Sequence, residues 1–373
     1  MLGKGFLKQP ASDPDRVRDV CANARRVLLC MTDQHIGNFA VATTVIKALQ
    51  RGFGARPGGV DAVDVIVAGG FEPLAERLLD PAAIITHDMP KSFPGDAAGL
   101  IRTRRQTRGR YDLLIVMSGG IRGSTLARFA GVQTTIGLDR YRRSGLYTLR
   151  IRDDNPTHAL GRYAQFGACV DGAEPIIEPF TLLDGDTQKI DKALETAGVD
   201  PAQPLTVFHP GAGKAHRLWP VERFAQVADH AIEQHGHTVG VLTAPGEEST
   251  TSALLGAMQR ADRARRISLP LGQLMPLFDH ARALVCNESG PMHLAAMTRC
   301  AIVALYGPTD PARWSPIRTG PEVAVLTGEA CPPGCRGGRC IAESACLTSI
   351  PVERVTDALD RTLSVVMTSA RDR

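Results

Sequence analysis

No apolar run in these 373 residues approaches the ~20 that a membrane-spanning helix needs. The first thirty residues carry charges throughout, where a secretory leader would be apolar. Both absences predict a cytoplasmic protein. Aromatic residues make up 5% of the chain, and no aromatic-rich stacking platform accompanies its arginine runs, so nucleic acid is not the expected partner. No G-x-G-x-x-G follows either of the two segments that read as first strands, which argues against a nicotinamide dehydrogenase. No short-period repeat is visible either.

What is present has the composition of a soluble globular chain: 43% hydrophobic and 22% charged residues. The length exceeds a single core and predicts two domains. In the first half, apolar runs at 27–31, 63–68, 83–86, 112–117 and 134–138 alternate with helical stretches, which predicts a mostly parallel α/β sheet. Phe39, Val41, Ala42, Val45, Ile46 and Leu49 recur at helical spacing, with Gly52 as the expected stop. In the second half, strands near 205, 238, 265, 283 and 301 alternate with helices beginning near 220, 247, 272, 291 and 351. The expected domains are 1–180 and 205–373, joined by a Pro-, Gly- and Asp-rich connection at 181–204 with one short helix. A final helix is expected over 352–367.

Two loops of the second half carry the chemistry. Residues 206–220, TVFHPGAGKAHRLWP, join a strand to a helix through Gly211 and Gly213, with Lys214, His216 and Arg217 as cationic donors. Glycine lets a backbone approach an anion, and basic side chains add charge, so this loop suits a pyrophosphate as well as it suits a solvated basic turn. Residues 283–311 repeat the rhythm: Asn287, Glu288, Ser289 and Gly290 follow an apolar strand, and Pro291 opens a helix bearing His293. Ligands of open α/β sheets bind beyond the carboxyl ends of the strands, so both loops should face one crevice, where Glu288 is placed to accept hydrogen bonds from sugar hydroxyls.

HPGAGKAHRLWPVERFAQV, then NESGPMHLAAM, then ALYGPTDP resembles the nucleotide-sugar-binding half of glycosyltransferase family 9, the ADP-heptose:lipopolysaccharide heptosyltransferases. HIGNFAVATTVIKALQ resembles the loop and helix after that family's first strand. The resemblance implies the GT-B architecture, two Rossmann-like doubly wound domains facing across a cleft. It also implies inverting, metal-independent transfer of a heptose from ADP-heptose to the phosphorylated inner core of lipopolysaccharide. Donor contacts then fall to Gly211, Gly213, Lys214, Arg217, Glu288, Ser289, Gly290 and His293. Residues 102–152 hold twelve Arg against two acids. Within them Arg140, Arg142 and Arg143 are the expected contacts to the anionic glycolipid acceptor, with peripheral docking at the cytoplasmic face of the inner membrane.

The chain departs from the family pattern at three places. Arg217 stands for the usual Lys and Glu288 for the usual Asp. Asn38 stands for the Asp that is the family's presumed base, and a carboxamide cannot take the acceptor's proton. Either Asp33 or His35 supplies the base, or Asn38 only orients the hydroxyl. The alternatives to a heptosyltransferase are a glycosyltransferase acting on another glycan or a protein, and a nucleotide-sugar-binding homologue without catalysis. Cys331, Cys335, Cys340 and Cys346 lie in a Gly- and Pro-rich stretch, CPPGCRGGRCIAESAC, whose spacings fit a structural zinc or iron site, reduced thiols, or disulfides formed on isolation.

Overall fold

The computed structural model describes residues 10–79, 84–87, 97–118, 120–140, 144–170, 173–178, 180, 182–318, 320, 322–329, 335, 340 and 345–371. The chain divides into two compact units, Met1–Glu178 and Pro179–Arg373. In the first, strands β1 (Arg26–Met31), β2 (Ala62–Ala68), β3 (Ile84–His87), β4 (Leu113–Val116), β5 (Thr134–Leu138) and β6 (Leu149–Ile151) form one parallel sheet in the order β3-β2-β1-β4-β5-β6. In the second, β7 (Leu205–His209), β8 (Thr238–Leu242), β9 (Ala264–Ile267), β10 (Ala283–Asn287), β11 (Ala301–Tyr306) and β12 (Val323–Thr327) are ordered β12-β11-β10-β7-β8-β9, again all parallel. Each unit is therefore a doubly wound, Rossmann-like sheet, and together they make the GT-B fold.

The order has a consequence for where ligands bind. In each unit the chain winds outward from the first strand, then crosses back to add strands on its other side. The switch points lie between β1 and β4 and between β7 and β10. Loops leaving these neighbours run to opposite faces of the sheet and open a crevice at its carboxyl end. The central strands read as unbroken apolar runs, and β4, β7, β10 and β11 are buried along their whole length, as sheets covered on both faces require.

Two edge strands escape the hydrophobic pattern. β6 is three residues long inside a basic segment, and β12 keeps its first three residues half-exposed, so neither offers a run that stands out. The helix after β1 spans Ile36–Ala55 and does not stop at Gly52 as its sequence suggests. Gly52 is a packing glycine: a Cβ there would lie 2.5 Å from Val170 Cγ1. The helix Val221–His235 does end on a glycine, Gly236, whose φ of 69° closes it in the left-handed conformation. The last helix, Val352–Arg371, buries Val355, Ala358, Leu359 and Leu363 in one cluster with Trp219 and Phe224, so its apolar stripe belongs to the core of the second unit.

Candidate functional site

The Gly-rich loop leaves β7 at His209 and reaches the helix Val221–His235 at Trp219-Pro220. Asn287, the last residue of the neighbouring β10 and fully buried, fastens both ends of it. Its Nδ2 donates to the Pro210 carbonyl at 2.7 Å, and its Oδ1 accepts from the Trp219 amide at 3.1 Å. Trp219 in turn donates from Nε1 to the Ile350 carbonyl at 3.2 Å and stacks edge-on against Phe224, ring centres 5.0 Å apart. The span between is thus pinned at the switch point, with Gly213 and Lys214 exposed.

A chain of polar groups crosses the floor of this loop. His209 Nε2 lies 3.1 Å from Glu247 Oε2, and His209 Nδ1 lies 3.1 Å from Ser289 Oγ. A carboxylate only accepts, so in its neutral tautomer His209 carries the proton on Nε2 and accepts the Ser289 hydroxyl on Nδ1. Glu247 also accepts from the Ala244 amide at 3.1 Å. Burial alone would lift its pKa, but the His209 hydrogen bond and charge and the Ala244 amide outweigh burial and hold it below the ordinary carboxylate value. Gly211 makes room for this carboxylate: a Cβ on residue 211 would stand 2.0 Å from Glu247 Oε1.

Arg217 and Glu288 form an ion pair at 3.0 Å, with side chains 24% and 10% exposed. Burial pushes the Glu288 carboxyl upward, and Arg217 and Thr309 offset only part of that, so its pKa stays above the ordinary value. Ser289 and Gly290 sit at the mouth of the short helix Gly290–Ala295. His293 is buried inside it, its ring centre 6.3 Å from that of Trp314. Tyr306, at the end of β11, donates to the Trp314 carbonyl at 2.7 Å and fixes the next loop.

In the first unit the loop after β1 gathers three candidates at one carboxylate. Asp33 Oδ1 accepts from the His35 amide at 3.0 Å and meets His35 Nδ1 at 2.7 Å, while Asp33 Oδ2 accepts from Asn38 Nδ2 at 2.6 Å. Asp33 is 21% exposed and His35 83%. Thr32 and Ser118 hydrogen-bond across the β1–β4 switch point just below. Arg140 pairs with the buried Asp153 at 3.1 Å. Arg142, Arg143 and Cys331 lie outside the described residues. Cys346 is buried in the short helix Ala345–Thr348, and Cys335 and Cys340 are described only as single positions.

The model of glycosyltransferase family 9 (heptosyltransferase) matches residues 100–341. The chain belongs to that family. Lipooligosaccharide heptosyltransferase 2 of Haemophilus influenzae is 26% identical over 273 residues, 68% of this chain and 77% of that protein. Lipopolysaccharide heptosyltransferase 2 of Escherichia coli is 24% identical over 305 residues, 76% and 83% of the two chains. Among solved structures, ADP-heptose LPS heptosyltransferase II of E. coli superposes with a TM-score of 0.71 at 20% identity, covering 91% of this chain and 99% of that one. A family 9 glycosyltransferase from Veillonella parvula gives 0.74 at 21%, covering 91% and 97%.

This family 9 enzyme thus brings Gly211, Arg217, Glu288 and Ser289 to one switch point, and Asp33, His35 and Asn38 to the other. The sequence did not single out His209 and Glu247, and it showed Asn287 only as a member of the loop after β10, not as the residue that pins the Gly-rich loop. A signal existed for Glu247: it follows β8 in TAPGEEST, a third strand, Gly turn and helix, with Gly246 at φ 88°. The pinning role of Asn287 gave none, because it lies in hydrogen bonds to residues about seventy positions away.

Proposed function

We propose that this family 9 enzyme transfers a heptose from ADP-heptose to the phosphorylated inner core of lipopolysaccharide, with inversion, and that Asp33 is its general base. The observation that carries the reading is the Asp33 carboxylate, 2.6 Å from the side-chain amide of Asn38, the residue that stands where the family it resembles has an Asp as presumed base. Asp33, five residues earlier, brings a carboxylate to the Asn38 side chain, and Asn38 becomes its donor and orienter. The acceptor hydroxyl attacks the anomeric carbon from the face opposite the diphosphate. A carbon–oxygen bond to the acceptor forms as the bond to the diphosphate breaks, and the hydroxyl proton passes to Asp33. Negative charge grows on the departing ADP, and Lys214, exposed on the Gly-rich loop, is a cation placed to meet it. Arg217 shares its charge with Glu288, whose carboxylate is the acceptor for donor-sugar hydroxyls.

The arginine-rich stretch at 102–152 supports an anionic glycolipid as acceptor and a site of action at the cytoplasmic face of the inner membrane. Arg140, already paired with Asp153, brings less net charge than its count suggests. Among the described residues no helix is long and apolar enough to cross a membrane.

The test is transfer in vitro from a panel of ADP-, GDP- and UDP-linked sugars to inner-core acceptors. ADP-heptose should be the working donor, and turnover with another sugar nucleotide alone would replace it. Asp33→Asn should lower kcat by ~10²–10⁴-fold, the range for loss of a general base, with ADP affinity retained. Asn38→Asp should be neutral or activating. Full activity in Asp33→Asn moves the base elsewhere, and a wild-type protein that binds donor without transfer to any acceptor favours a non-catalytic role.

A further inference from the structure

Outside both switch points, one cluster of side chains has no part in the proposed chemistry. His230 and His235, near the end of the helix Val221–His235, each bring an imidazole Nε2 to one oxygen of Asp360 on the C-terminal helix, at 2.8 and 2.7 Å. Residues five apart on a helix lie about 140° apart around its axis, so these two do not form the usual side-by-side pair. They converge because the facing helix places a carboxylate between them. All three ligand-capable atoms lie within 4.8 Å of one another. The two imidazoles are 24% and 21% exposed and Asp360 is 43% exposed, so the cluster is walled on the protein side and open to solvent on the other.

We propose that His230, His235 and Asp360 form a binding site for a divalent transition metal such as zinc, which clamps the C-terminal helix to the helix that follows the donor loop. Two imidazole nitrogens and one carboxylate oxygen are ligands that zinc and its neighbours take, whereas magnesium and calcium prefer oxygen sets. Zinc bonds of ~2.0–2.2 Å in tetrahedral geometry separate ligand atoms by about 3.3 Å. The present contacts therefore need to open by only about half an ångström, a side-chain adjustment. Three protein ligands leave a further position for water.

The surroundings favour a cation. The carboxyl end of the helix Val221–His235 presents partial negative charge close to His235. His237 lies beside His235, ring centres 5.6 Å apart, but is engaged elsewhere: its Nδ1 meets Thr206 Oγ1 at 2.7 Å. Binding requires each Nε2 to release its hydrogen, to Nδ1 of the same ring or to solvent, so that the lone pair faces the metal.

The full-length protein, stripped with a chelator, is titrated with Co²⁺ and then with Zn²⁺. Cobalt should give d–d absorption of nitrogen and oxygen ligation without a thiolate charge-transfer band, which separates this site from the cysteine-rich segment, and zinc should displace it. Saturating zinc should raise the melting temperature by roughly 5–10 °C at a hundredfold excess over Kd. Asp360→Asn, which keeps a hydrogen-bond partner for the histidines, and the double variant His230→Ala/His235→Ala should each weaken cobalt binding at least roughly tenfold, with ADP affinity unchanged. Thiolate-type bands alone, no cobalt signal, or an undiminished signal in these variants would overturn the site.

Discussion

Arg217 and Glu288 show how a residue acquires its character from a partner that the primary structure does not reveal. Read singly, one is a hydrogen-bond donor for a phosphate and the other an acceptor for sugar hydroxyls. At 3.0 Å in a mostly buried setting, each sets the state of the other. Native Glu288 holds its proton more tightly than the unfolded chain does, so its ionisation weakens the fold as pH rises from the ordinary carboxylate range through its raised native value. Removing Arg217 takes away a group that lowers that value and extends the window upward. The destabilisation of Arg217→Ala relative to wild type should therefore be small near about pH 4 and grow toward neutrality, and Glu288→Gln should abolish the growth. Melting temperatures across pH for the four proteins of the cycle measure it, with a coupling of roughly 0.5–3 kcal/mol expected. A pH-independent difference would mean that Glu288 does not feel Arg217. At this scale, glycines and bases in a loop were legible in HPGAGKAHRLWP because the residue types themselves carry the chemistry. The pairings were not, since His209 meets Glu247 and Ser289 only after three strands have been ordered in space.

At the scale of elements, the alternation of strand, loop and helix was readable because buried parallel strands are apolar runs bounded by Gly and Pro turns. β7, β8, β10 and β11 begin at the expected residues for that reason. β6 and β12 lie at sheet edges, where one side chain in two need not be apolar, and the pattern fails there. The Gly-rich loop after β7 is an element held by side chains instead of by a backbone ladder. Asn287→Ala should leave the Pro210 carbonyl and the Trp219 amide buried and unpaired, each costing about 1–3 kcal/mol. Urea unfolding should lose that stability, and ADP affinity should fall with it, because the cationic span is no longer pinned. Gly211→Ala makes a sharper test of the floor. The new methyl collides with the Glu247 carboxylate, so the contact to His209 should break and ADP binding should weaken while the fold survives. Nucleotide affinity unchanged in both variants would separate the loop from the donor.

For the molecule as a whole, two copies of one topology place two crevices in units with different side chains, one carboxylate with His35 and Asn38 around it after β1 and a cationic, glycine-rich loop after β7. The doubling was legible from length and rhythm, and the GT-B fold was implied by the resemblance to family 9. The division of labour was legible only in part, because Asn38 removes the residue by which the first unit's role is usually read. The asymmetry of charge makes it measurable. If the nucleotide is held by the second unit alone, binding stabilises the native form of that unit and lowers its local opening, while the first unit gains nothing directly. Hydrogen exchange with saturating ADP should therefore slow amides of the loop at 210–219, the segment at 287–290 and the start of the helix Val221–His235. Amides of β1 and of the helix Ile36–Ala55 should keep their rates until an acceptor is added. At ADP a hundredfold above Kd, protection in the second unit should rise by up to about 2.7 kcal/mol wherever exchange needs unfolding of that unit. Slowing confined to the loop after β1 would reverse the assignment and make the first unit the donor site.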